Sequence, residues 1–134
     1  MMSLTPTESQ EQQIVIKWAD MQPLKGFGGK IGSFLFAIPN GGKRLQREAV
    51  RLRAEGVRAG VPDLYFAYPC NGYHGLFIEM KRAKKSLSHI SDEQIEWQER
   101  LNAAGYLAVV CYGADEAIKT ITDYLNGTKK NNAS

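Results

Sequence analysis

A chain of 134 residues with 43% hydrophobic and 23% charged side chains has the makings of one compact domain, residues 1–126, with little room for a second. No run approaches the roughly 18 apolar residues of a membrane span, and the start MMSLTPTESQEQQ has neither the basic beginning nor the apolar stretch of a secretory signal. A membrane partner is therefore excluded and the cytoplasm is the expected location. The net charge of +3 does not by itself announce nucleic acid, and Cys70 and Cys111 form no CxxC pair, so they read as reduced, packed thiols.

The spacing predicts a first helix over residues 7–21, with Thr7 as its cap and Glu8, Glu11, Val15 and Trp18 recurring at helical intervals. The glycine-rich stretch 25–32 fails as a phosphate-binding loop. That loop needs Ser or Thr after Gly-Lys and a glycine five residues before that glycine, where this chain has Ile31 and Leu24. It reads as a flexible loop. Residues 33–38 form an apolar strand stopped by Pro39-Asn40-Gly41-Gly42. A second helix, rich in Arg, Leu, Ala and Glu, covers 43–55. Runs 61–68 and 73–81, joined by Pro69-Cys70-Asn71-Gly72, read as a hairpin. Ser91-Asp92-Glu93-Gln94 opens a third helix with a capping-box pattern, and Gly105 ends it. Residues 106–112 are an almost wholly apolar strand of the kind covered on both faces. A helix over 114–125 and a polar tail over 127–134, expected to be disordered, complete the chain. The order α-β-α-β-β-α-β-α predicts an α/β fold with a central mixed sheet flanked by helices.

The chemistry concentrates in one hairpin. In Leu76-Phe77-Ile78-Glu79-Met80-Lys81, alternation puts Leu76, Ile78 and Met80 on one face and Phe77, Glu79 and Lys81 on the other. Glu79 and Lys81 then point the same way, about 7 Å apart. Asp63, directly after Pro62 on the preceding strand, can lie beside Glu79. Two adjacent carboxylates repel, and burying them is costly without compensation. A hard divalent cation such as Mg²⁺ is the natural counter-charge, because it takes one or two carboxylates together with waters and phosphate oxygens. A lysine on the same face can orient an attacking water and offset charge on the phosphoryl oxygens. The bland alternative is a solvated strand face. Basic residues cluster in Lys43-Arg44, in Arg47, Arg51, Arg53 and Arg58, and in Lys81-Arg82-Lys84-Lys85, which suits a phosphate backbone or equally a solvated surface. Asn40, Lys43 and Arg44 after the turn, and Arg82, Lys84 and Lys85 after the hairpin, are the candidate nucleic-acid contacts. His74 and His89 are isolated and read as structural or exposed.

Gly60-Val61-Pro62-Asp63-Leu64, Phe77-Ile78-Glu79-Met80-Lys81-Arg82, Leu87-Ser88 and Gln94-Ile95-Glu96-Trp97, in that order, resemble the VRR-NUC family of the PD-(D/E)XK nuclease superfamily. The resemblance extends to the Pro39–Gly42 turn, to Gly105 and to the N-terminal Glu-containing helix, and so covers residues 8–125. Two departures stand out. Relatives often carry a histidine before the turn, where this chain has Phe36-Ala37-Ile38, and Glu8 and Glu11 both answer to the N-terminal glutamate.

The resemblance implies Asp63 and Glu79 as metal ligands, with the Met80 carbonyl completing the inner shell and Lys81 as the catalytic lysine. Gln94 would reach toward the nucleophile or scissile phosphate. Its competing role is simple capping of the third helix, and the two roles are read as hard to combine. Glu11 is preferred over Glu8 as an outer-shell metal contact. The expectation is a Mg²⁺- or Mn²⁺-dependent endonuclease acting on branched DNA in the manner of a Holliday-junction resolvase, working as a C₂ homodimer. The alternatives are a nuclease of the same superfamily acting on duplex DNA or RNA, and a non-catalytic DNA-binding module.

Overall fold

The structure, a computed structural model, describes residues 5–39 and 46–127. The expected element order is present: α1 (Glu8–Met21), β1 (Leu35–Ala37), α2 (Gln46–Ala54), β2 (Leu64–Phe66), β3 (Leu76–Lys81), α3 (Asp92–Ala103), β4 (Leu107–Tyr112) and α4 (Ala114–Asn126). Single 3₁₀ turns at Ile31–Ser33 and Lys85–Leu87 add to it. The expected contacts Asn40, Lys43 and Arg44, and the tail from residue 128, lie outside the described residues.

The four strands run β1-β2-β3-β4 across the sheet, antiparallel for the first two pairings and parallel between β3 and β4. The β2–β3 connection is a tight turn in which Asn71 and Gly72 both take positive φ (52° and 88°), the pairing that matches the twist of a two-residue hairpin. The parallel β3–β4 pairing needs a crossover, and α3 supplies it.

Leu76, Ile78 and Met80 pack into the core with Leu64, Phe66, Val15 and Ala19 of α1, and Ala117, Ile121 and Tyr124 of α4. Helices α1 and α4 therefore cover one face of the sheet. Helix α3 lies against the other, over β4, through the half-buried Gln94, Trp97 and Gln98 and the buried Leu101. β4 is thus an edge strand with a helix against each face. Cys111 is buried with its Sγ 3.4 Å from Thr120 Oγ1, and Cys70 is half-buried with its Sγ 3.7 Å from the Leu125 carbonyl oxygen.

The glycine-rich stretch is a correction. Instead of a flexible loop it closes on itself: Pro23 and Lys30 form a bridge, Leu24 N–H donates to the Gly29 carbonyl at 2.8 Å, and Ile31 N–H donates to the Gln22 carbonyl at 2.9 Å. Leu24 and Ile31, the residues that exclude a phosphate-binding loop, are buried anchors of this turn.

Candidate functional site

Three elements meet at the C-terminal end of β3. Strand alternation aims Glu79 and Lys81 away from the core and toward α3, and both are nonetheless buried, at 2% and 4% exposure. Asp63, just before β2, reaches across: its Oδ2 accepts the Met80 N–H at 2.8 Å. Residues of a strand present their N–H and C=O to the same side, so the Met80 carbonyl faces the Asp63 side as well.

Burial is tolerated because partners are supplied. Lys81 Nζ donates to the His89 carbonyl at 2.8 Å and to Gln94 Oε1 at 3.1 Å, and stands 3.5 Å from Glu79 Oε2. Gln94 Nε2 donates to Glu79 Oε2 at 2.9 Å. The same Gln94 completes the capping box of α3: its Oε1 accepts the Ser91 N–H, and its N–H donates to Ser91 Oγ. Capping, read from sequence as hard to combine with a site role, does not prevent Gln94 from bonding both Glu79 and Lys81. An amide oxygen has two lone pairs and its nitrogen two protons, so one side chain serves both.

The other oxygen of Glu79 differs. Oε1 is buried without a hydrogen-bond partner. Burial first, and the Asp63 charge second, push the Glu79 carboxyl up to about 8, with Lys81 opposing both. A side-chain hydrogen bond with Asp63 raises it further, so a bare carboxylate pair at this depth is unfavourable. Among the described residues no third Asp, Glu, His or Cys joins the pair in a common cluster. Two hard carboxylates with a carbonyl alongside are a donor set that suits Mg²⁺, which keeps several waters and adds substrate oxygens.

Glu8 is exposed, whereas Glu11 is buried at 6% exposure and faces inward beside Val15 and Ala19. Glu11 Oε1 accepts the Ala114 N–H at 2.9 Å, so it caps the N-terminus of α4, where Gly113 has no side chain to do so. This capping role was not expected from sequence.

Of the cationic candidates, Arg82 turns to the α1 side and donates to the carbonyls of Thr5 (2.8 Å) and Pro6 (3.1 Å), tethering the start of the chain. Lys84 is exposed, and Lys85 Nζ sits 4.8 Å from the centroid of the Tyr112 ring. The Ser88 hydroxyl accepts the Arg82 N–H at 3.2 Å, which gives the Leu87-Ser88 motif a physical role: it folds the segment after β3 back so that the His89 carbonyl meets Lys81. His89 itself is exposed. Its carbonyl is the functional group that sequence reasoning missed, since a main-chain acceptor leaves no mark in residue identity.

The family profile described as the VRR-NUC domain matches residues 7–115. A solved structure described as a VRR_NUC domain protein is 32% identical to this chain, with a TM-score of 0.77 over 90% of this chain and 89% of that one. No curated protein matches.

Proposed function

The chain belongs to the VRR-NUC family and carries a nuclease-type domain, and from that premise we propose that it hydrolyses phosphodiester bonds in branched or otherwise structured DNA with Mg²⁺ or Mn²⁺. The observation that carries this reading is the buried constellation of Asp63, Glu79 and Lys81, tied together by Gln94, with Glu79 Oε1 left without a partner. Asp63, Glu79 and the Met80 carbonyl would hold the cation, which when bound neutralises phosphate charge and makes a coordinated water more acidic.

The protein's own groups do the rest. Gln94 fixes Glu79 through Oε2 and so keeps Oε1 aimed at the cation site. The His89 carbonyl and Gln94 Oε1 hold two of the three Lys81 ammonium protons, leaving a positive charge in fixed orientation to align the attacking water and stabilise the phosphoryl oxygens in the transition state. Glu11, the expected outer-shell contact, is engaged instead at the Ala114 N–H, so its support for the site would run through the seating of α4. A C₂ homodimer would set two such sites against the two strands of a junction, and sedimentation showing a monomer at micromolar concentration would contradict that assembly. No helix among the described residues is long and apolar enough to cross a membrane.

The experiment is a panel of duplex, flap, four-way-junction and RNA substrates with and without divalent metal. The expected result is metal-dependent cutting of branched DNA. Cutting of RNA or plain duplex in preference would replace the substrate assignment, and absence of cutting on every substrate with either metal would overturn the nuclease reading.

A further inference from the structure

The face of the sheet that carries the acid pair continues away from it as a row of aromatic rings. Phe36, Tyr65 and Phe77 are register partners on β1, β2 and β3. Tyr65 lies two residues beyond Asp63 and Phe77 two residues before Glu79, so alternation puts all of them on one face, about 7 Å from the carboxylates along the strands. The Tyr65 and Phe77 rings stack at 4.2 Å with an interplanar angle of 17°. Phe36 stands perpendicular to Tyr65, with centroids 5.7 Å apart, and is 50% exposed. Gly75 fixes the arrangement: a Cβ there would come within 2.7 Å of the Tyr65 ring and hydroxyl, so the glycine is the cradle in which Tyr65 lies.

A sheet face toward water normally reads polar. Here α3 lies over β4, while the β1 end of the same face shows an aromatic ring to solvent. Along the strands this row runs straight into the acid pair. A nucleotide whose phosphate sits at Asp63 and Glu79 would leave its neighbour's base within reach of this row, with Phe36 one strand across from Tyr65 at its exposed end. Bases in an intact duplex already have both faces stacked, and only an unpaired base can lie on a protein ring.

We infer that Phe36, with Tyr65 and Phe77 behind it, is a stacking platform for an unpaired nucleobase next to the scissile phosphate, which makes the substrate a DNA with single-stranded nucleotides at the cut site. The inference rests on the nuclease reading, and its test separates the two. The probe is a DNA duplex with a short single-stranded arm carrying 2-aminopurine at the first unpaired position, whose emission falls when the base stacks. Binding is read in EDTA, without cutting.

Wild type is expected to quench the probe, Phe36→Ala to lose the quench with roughly tenfold weaker binding, and Phe36→Tyr to restore both. With metal, wild type should cut the arm substrate roughly tenfold better than the same arm made abasic at that position, and Phe36→Ala should cut the two alike. Equal quenching and equal base preference in wild type and Phe36→Ala would overturn the platform while leaving the nuclease reading standing. Loss of a dimer in Phe36→Ala with base preference unchanged would also overturn it, reassigning the row to contact between copies. Persistent, Phe36-dependent quenching by a protein that cuts nothing would uphold the platform and remove the nuclease.

Discussion

Strand β3 presents two faces that are equally buried and built on opposite principles. Leu76, Ile78 and Met80 fill one face with side chains that need only volume, whereas Glu79 and Lys81 bring ionisable groups to the same depth on the other. A buried hydrophobe is satisfied by any well-packed neighbour, but a buried charge requires named partners in fixed places. Lys81 has them: a carbonyl, an amide oxygen and a carboxylate. Glu79 has them for one oxygen and lacks them for the other. That single oxygen is where the two faces diverge.

The contrast breaks most sharply by mutation. Asp63→Asn or Lys81→Ala should lower the cleavage rate at least about 1,000-fold, roughly 4 kcal/mol of transition-state stabilisation, with the circular dichroism spectrum unchanged; wild-type turnover in either variant would reject the site. Across the strand, Ile78→Ala should cost about 2–5 kcal/mol of stability in urea titration through the cavity it leaves, with the rate per folded molecule preserved.

The pH dependence of the metal-free protein should also come from the site face. Glu79 holds its proton more tightly when folded, its carboxyl moving from the ordinary 4.5 to about 8. Its contribution to stability is therefore fully present below about 4.5 and disappears as pH rises through 8. Thermal melts in EDTA should show this fall. Glu79→Gln should flatten it, and saturating Mg²⁺ should remove it by neutralising the pair; a melting temperature indifferent to pH in all three would contradict the assigned burial of charge.

The smallest effects compare two matched helix caps. Thr7 with Gln10 and Ser91 with Gln94 form the same reciprocal box at the starts of α1 and α3. Gln94→Ala should lose roughly 1 kcal/mol of stability and about 10- to 100-fold in activity, the range for groups that orient metal ligands. Thr7→Ala should lose a similar roughly 1 kcal/mol and no activity. Equal activity losses in both variants would show that the Gln94 effect is helix stability alone.

How much of this was legible in the sequence follows from the same contrast. The β3 alternation, the Asn71-Gly72 hairpin and the α-β-α-β-β-α-β-α order depend on local periodicity and turn chemistry, which residue identities carry directly. Gln94 was visible twice, as a cap and as a site residue, and the two readings looked exclusive because a sequence motif assigns one job where an amide can do two. Glu11 is preferred over Glu8 in the sequence for its place one turn before Ile14 and Val15, but its capping of α4 joins residues 103 apart and leaves no local signal. The His89 carbonyl could not be read at all. Arg82 was counted with the basic run by charge alone, but alternation sends it to the α1 side, where the Thr5 and Pro6 carbonyls take its protons. The glycine-rich stretch 25–32 illustrates the reverse error, since glycine composition says flexible while Leu24 and Ile31 anchor the turn in the core.

The most direct test of the central claim is calorimetric titration of Mn²⁺ into wild type and Asp63→Asn in the absence of DNA. Saturable binding to wild type is expected, lost or greatly weakened in the variant. No binding to wild type, or identical binding to both proteins, would contradict it.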